Sequence, residues 1–198
     1  NASYSYDGSN WTATPSLNTA RTQLSGAGTQ TAALGFGSPN TTESWNGSSW
    51  TSVNSLNTAR KGGAGSGTQP AALIAFGYTG PPPSTANSVL TESWNGTNWT
   101  EVNDANTKRQ DGGGFGTQTS ALVAGGYKYV SPPGRSALTE SWNGTNWTSG
   151  NSLSQARLGL AGFGTQTATL ATGGQIYPGP GGATNVESYD GTNWTSAP

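Results

Sequence analysis

The string TESWNGTNWT occurs verbatim at 91–100 and again at 139–148, and a near copy, TESWNGSSWT, stands at 42–51. Degenerate copies lie at both ends, YSYDGSNWT at 4–12 and ESYDGTNWT at 187–195. The second tryptophan of each copy is Trp11, Trp50, Trp99, Trp147 and Trp194. Their spacing, roughly 40–50 residues, is the period of propellers and stacked arrays, so the repeat limits the fold before any single residue does. A second shared stretch runs between the tryptophans: SLNTARTQLSGAGTQTAALGFG at 16–37, with counterparts at 55–77, 104–126 and 152–174. One unit is therefore a polar lead-in ending in Arg, a small-residue run, Gly-Thr-Gln, an apolar run closed by glycine, a variable loop, Glu-Ser-Trp, a turn, and Asn-Trp-Thr.

These pieces predict strands. Apolar residues never recur at helical spacing over a useful length, whereas short runs are bounded by Gly, Asn and Pro. Asn-Gly at 143–144 is a strong hairpin signal, since both residues tolerate positive φ, and Asp7-Gly8 and Asp190-Gly191 serve the same turn. In the third full unit the expected strands are about 110–116, 120–125, 139–143 and 146–149. With Gly at 31 of 198 residues and a hydrophobic share of 31%, composition alone would also suit disorder. Large aromatics at fixed spacing argue for a repeated packing site instead. A parallel β-helix ranks behind, since its rungs would be shorter and lack hairpins.

The unit resembles the Kelch repeat. The likeness rests on an apolar strand ending in a glycine pair (Gly125-Gly126, Gly173-Gly174), a variable loop, a third-strand aromatic (Tyr6, Trp45, Trp94, Trp142, Tyr189) and the fourth-strand Trp. The pair is altered to Gly35-Phe36-Gly37 and Ala75-Phe76-Gly77 in the first two units. The resemblance implies an all-β propeller of four-stranded antiparallel blades forming one domain over 1–198: a half repeat at 1–14 and full repeats at 15–53, 54–102, 103–150 and 151–198. Five outer hairpins against four inner ones leave a ring of four blades, of five, or one closed through another chain. With no Met in the sequence, residue 1 is not expected to be a native start.

Charge narrows the function. There are 8 basic and 9 acidic residues. Arg21, Arg60, Arg109 and Arg157 recur at one position of the unit, and Glu43, Glu92, Glu140 and Glu187 at another. The expected role is structural, each Arg pairing with a Glu or capping carbonyls between blades; a ring of arginines gripping an anion is the weaker alternative. A net charge of −1 with scattered signs argues against a nucleic-acid surface. No apolar run approaches the ~20 residues that span a bilayer, so membrane insertion is not expected.

Cysteine and histidine are both absent. Disulfides, thiolate chemistry, His-based general base catalysis and His-ligated zinc are excluded with them. The copper chemistry known on one Kelch-type propeller needs histidines and a cysteine-linked tyrosine, which this chain lacks. Among the acids, Asp104 and Asp111 could lie near one another, but nothing marks them as a glycosidase pair. Single Asp residues in the terminal turns fall short of a calcium site. The expectation is a non-enzyme with no cofactor and no metal.

What varies is the loop after the second strand. It is short at Ser38-Pro39-Asn40 and longer at 78–89, 127–137 and 175–185, where it is rich in Pro and Gly and carries Tyr78, Tyr127, Tyr129 and Tyr177. Variable loops on a repeated scaffold are where recognition lives, and tyrosine with small polar residues is a versatile contact palette. The chain reads as a structural or interaction module on a cell or virion surface, outside the cell, similar in wording to Kelch-like arrays of marine bacterial and phage surface or tail proteins. Its expected partner is a protein or glycan on a surface. A multivalent lectin using exposed Trp or Tyr is the alternative, and the unpaired terminal strands allow a homo-oligomer.

Overall fold

The computed structural model describes residues 2–80, 87–129, 134–176 and 182–197. Among these residues the chain is strand, turn and loop, with no helix. The half repeat forms β1 (Ser3–Tyr6) and β2 (Trp11–Thr14), a two-stranded sheet. Sheet 1 is β3 (Ser25–Gly28), β4 (Ala33–Phe36), β5 (Thr42–Trp45) and β6 (Trp50–Val53). Sheet 2 is β7 (Ala64–Thr68), β8 (Ala71–Tyr78), β9 (Asn87–Trp94) and β10 (Trp99–Val102). Sheet 3 begins with β11 (Gly113–Gly116) and β12 (Ala121–Ala124), is interrupted by the short pair β13 (Tyr127–Lys128) and β14 (Gly134–Arg135), and ends with β15 (Thr139–Trp142) and β16 (Trp147–Gly150). Sheet 4 is β17 (Ala161–Thr165), β18 (Ala168–Thr172), β19 (Val186–Tyr189) and β20 (Trp194–Ala197).

Each full repeat is thus one antiparallel meander, and its register repeats: Trp45 faces Trp50, Trp94 faces Trp99, and Trp142 faces Trp147. The outer turn holds that register. Asn143 Oδ1 accepts from the backbone N–H groups of Thr145 and Asn146, with Gly144 at φ 92°. Asn46, Asn95, Asp7 and Asp190 make the same turn.

The innermost strands are built from small residues because neighbouring sheets meet there backbone to backbone. A Cβ on Gly114 would lie 2.5 Å from the Gly65 carbonyl oxygen, and one on Gly162 would lie 2.4 Å from the Phe115 ring. Glycine in a strand here marks close approach rather than a weak strand. The inner strands β3, β7, β11 and β17 pack in succession and line a shared central space of about 270 Å³.

Among the described residues the core is divided into three apolar clusters, each straddling one pair of successive sheets: Leu34, Phe36, Ile74 and Trp99 between sheets 1 and 2; Leu73, Phe76, Val123 and Trp147 between 2 and 3; Phe115, Leu122, Leu160 and Tyr189 between 3 and 4. Stability is then a chain of neighbour interactions, as in repeat proteins. The sequence leaves a closed ring open as an expectation; the sheets do not close. No comparable packing joins β17 to β3.

Candidate functional site

The polar framework comes first, since it positions everything else. Arg21–Glu43, Arg109–Glu140 and Arg157–Glu187 are ion pairs at 2.9, 2.8 and 2.8 Å, and Arg60 pairs with Glu92 in the same way. Each guanidinium also donates to a backbone carbonyl, Thr41, Leu90, Leu138 or Asn185, at the head of its own unit's third strand. Each glutamate accepts a lead-in backbone N–H as well, from Asn18, Asn57, Asn106 or Ser154. Every pair therefore lies within one repeat and ties the lead-in to the third strand of its own sheet. Of the structural roles expected for these groups, Arg–Glu pairing is the one they take, and it joins the lead-in to the third strand within one unit. Burial pushes the Arg109 guanidinium down from the usual arginine value, with Glu140 pulling it back up. These four side chains are sealed and charge-matched, so none of the repeated arginines is open to a bound anion.

A second element joins the sheets. The glutamine of Gly-Thr-Gln reaches back to the preceding unit: Gln69 Nε2 donates to Ser44 Oγ and the Trp45 carbonyl, and Gln118 and Gln166 likewise reach the Trp94 and Trp142 carbonyls. Returning the contact, Trp99 Nε1 donates to Thr42 Oγ1, Trp147 to Thr91 and Trp194 to Thr139. The recurring tryptophans are thereby placed between sheets, with Trp99 and Trp147 buried and Trp50 and Trp194 half-buried. Trp11 departs from its expected structural role: it is 69% exposed, because the other tryptophans are covered by the preceding sheet and, among the described residues, no sheet lies on that side of the half repeat.

The loop face is delivered by the glycine pair. Two successive residues take positive φ after the second strand, or in sheet 2 at the bulge inside it: Gly37 and Ser38 at 86° and 58°, Phe76 and Gly77 at 47° and 119°, Gly125 and Gly126 at 70° and 106°, Gly173 and Gly174 at 65° and 95°. The second residue donates its N–H to the carbonyl of the next unit's repeated arginine: Ser38 to Arg60, Gly77 to Arg109, Gly126 to Arg157. This bend aims the following residues, Tyr78 and Tyr127 among them, at one end of the molecule. Tyr78 then exchanges backbone hydrogen bonds with Lys61, and Tyr127 with Gln110.

There three tyrosines from two repeats converge. Tyr127 and Tyr129 meet edge to face at 4.7 Å, and Tyr129 lies 6.5 Å from Tyr78. Lys61 Nζ sits 5.4 Å from the Tyr78 ring centroid, within cation–π range. Asn87 Nδ2 donates to the Tyr127 carbonyl at 2.7 Å and fixes that strand from the neighbouring unit. A cleft of about 380 Å³ opens beside Tyr78, lined by Ser38, Pro39, Ala59, Lys61 and Gly80. Tyr129 is exposed and the other two rings are half-buried. Tyr177 lies outside the described residues. Lys61, one of four cations outside the repeated arginine position, is the site member that sequence reasoning passed over; its place directly after a repeated arginine is the signal that could have found it.

Beside this face a collar of backbone bonds runs around the channel mouth. Gly62 N–H donates to the Gln23 carbonyl, Asp111 to Gly62, and Gly159 to Asp111, all through positive-φ residues. Asp111 reaches inward, accepting from Gln23 Nε2 at 3.3 Å and Gln110 Nε2 at 2.7 Å. Among the described residues no three His, Cys, Asp or Glu side chains gather to hold a metal.

No family model matches this chain, and no curated protein does. Among solved structures, one described as "Structure of YjhT" superposes with a TM-score of 0.76, covering 93% of this chain and 67% of that one at 12% identity. A likeness at that identity speaks to fold alone.

Proposed function

We propose that this chain is a Kelch-like β-propeller array acting as a non-enzymatic interaction module, displayed on a cell or virion surface and recognising a protein partner through its loop face. The observation that carries the reading is the convergence of Tyr78, Tyr127 and Tyr129 with Lys61 beside an open cleft. The scaffold beneath is repeated nearly verbatim and locked by buried ion pairs, whereas this face differs from unit to unit. Rigid amphipathic rings at low entropic cost suit such a surface. The lectin alternative needs exposed Trp or Tyr; outside the loop face Tyr4, Tyr6 and Trp11 are exposed, all three on the half repeat, so it rests on that hairpin rather than on a site repeated in every unit.

The test replaces Tyr78, Tyr127 and Tyr129 with Ser together. Binding is measured to immobilised cell-surface protein and, in parallel, to a glycan array. The chain should stay folded and melt only modestly lower, the ring contacts being worth about 0.5–1.5 kcal/mol each, while binding to the protein surface is lost. The reading is wrong if binding survives the triple change but disappears with Thr117→Lys and Thr167→Lys, exposed at the opposite turns. Binding confined to the glycan array would favour the lectin.

A further inference from the structure

Two faces of the molecule expose apolar side chains whose apolar counterparts in another full repeat are buried. On sheet 4, Phe163 is 70% exposed and Leu170 43%, against 3% and 0% for Phe115 and Leu122 at the same positions of sheet 3. On sheet 1, Leu24 is 38% exposed, against 7% for its counterpart Leu160. Clefts of about 390 and 400 Å³ lie over these two faces. The half repeat stands before sheet 1 in the usual way, because Gln30 Nε2 donates to Ser5 Oγ and the Tyr6 carbonyl. Yet β1 pairs only with β2, so the edge that in every full repeat meets a second strand is bare. Bare strand edges are templates for a further strand.

Polar groups mark the same vacancy. Trp50 Nε1 is buried without a partner, although Trp99, Trp147 and Trp194 each find a threonine. Ser3 occupies the threonine's register position. Gly174, the last of the series Ser38, Gly77 and Gly126, has no next-unit carbonyl to donate to among the described residues. A Cβ on Gly26 would meet only its own sheet, at 3.5 Å, whereas at Gly65 and Gly162 it would strike the preceding sheet.

We infer that the open sector between sheet 4 and the half repeat is a docking site for a β-hairpin of this chain's own inner-strand type: a lead-in, a small-residue strand with Gly at the Gly162 position, Gly-Thr-Gln, and an apolar strand that adds antiparallel to β1. The three internal interfaces show what covers such faces, and each is covered by that hairpin together with outer-strand aromatics of the same sheet, a place Trp11 already holds on the half repeat. The register follows from the pairing of β18 with β19: the residue at the Leu170 position lies opposite Ser5 and that at the Ala171 position opposite Tyr4. One feature differs. Tyr4 stands where full repeats carry the glutamate, so an arginine in the incoming lead-in would be buried unpaired, which is costly. The occupant lacks that arginine. This inference is independent of the loop-face reading.

The experiment uses a synthetic peptide of residues 152–174 bearing Arg157→Gln, added to the intact chain, and the same segment fused after Pro198 through a flexible linker. Hydrogen exchange should slow at least tenfold at the β1 amides, and acrylamide quenching of tryptophan should fall, in one or both formats. A peptide that also carries Ala171→Pro, which removes an N–H from the pairing strand, should do neither. The idea is overturned if neither format protects β1 in a chain shown to be folded by circular dichroism. It is equally overturned if β1 is protected without peptide in proportion to protein concentration, which would make a second copy the occupant.

Discussion

Trp99 and Trp11 hold the same place in the repeat, yet one is 5% exposed and the other 69%. The local sequences around them, Asn-Trp-Thr in both cases, do not differ. What differs is the company: Trp99 has Phe36 of the preceding sheet at 4.9 Å and Thr42 for its indole N–H, while Trp11 has only Tyr6 of its own hairpin. In this molecule burial belongs to the interface between units, so interior and terminal copies of one residue should respond differently to the same change.

The largest contrast should be electrostatic. Arg109→Ala leaves Glu140 buried and uncompensated and should cost about 3–5 kcal/mol, whereas Lys108→Ala, exposed at the neighbouring position, should stay within about 0.5 kcal/mol. Chemical denaturation of both variants measures it, and equal losses would mean that the ion pair is not what holds the lead-in. Next come the tryptophans. Trp147→Ala should lose ~3–5 kcal/mol, as deletions of large buried aromatics do, and Trp11→Ala almost nothing. A Trp11 variant that melts as low as the Trp147 variant would show that the terminal hairpin is covered in solution.

The glutamine latches allow a finer comparison. Gln118→Ala removes a donor shared by Ser93 and the Trp94 carbonyl and should cost ~1–3 kcal/mol, while Gln30→Ala, which holds only the half repeat, should free β1 and β2 without lowering the main transition. Exchange rates at residues 3–14 beside the global melt separate the two effects. The smallest contrast lies in the turns. Backbone N–H groups of Asn10 and Ser9 hold the Asp7 carboxyl below its usual pKa, and those of Asn193 and Thr192 do so for Asp190. The folded pKa is lower than the unfolded one, so these aspartates stabilise above about pH 4 and that contribution fades as pH falls through the folded value. Asp7→Asn with Asp190→Asn copies the internal turns and should flatten the acid limb of the stability profile; an unchanged limb would show that the terminal turns do not contribute to it.

Much of the fold could be read from residues alone because the repeat carries its own alignment. The Asn-Gly hairpins, the four strands of each unit and the recurrence of Arg with Glu all stand in local sequence. The third unit's strands fall within a few residues of expectation, with β11 starting at Gly113 rather than near 110. Three things were hidden. The loops carry structure of their own: β8 and β9 extend to Tyr78 and from Asn87, and Tyr127–Lys128 pairs with Gly134–Arg135, because Tyr and Lys bond to a strand of the same loop rather than to a neighbour with a visible pattern. Gln69, Gln118 and Gln166 read as turn residues, since their partners lie in another unit. Phe76 looks like a lost glycine, but it takes the same left-handed conformation at φ 47°, held by burial and by the Arg109 guanidinium 5.0 Å from its ring. Of the site, the tyrosines were visible as variable-loop residues; their convergence was not, since it depends on the bend set by paired positive-φ residues.

Because every buried arginine finds its glutamate inside the same repeat, each unit is electrically neutral at its centre on its own. Segments 91–100 and 139–148 are identical, so a unit inserted or removed at such a boundary would leave the sequence across the join unchanged. An array that gained or lost a unit by that route would neither strand a buried charge nor accumulate like charges around its axis. The self-neutral repeat thus makes the electrostatics of each unit independent of how many units stand beside it.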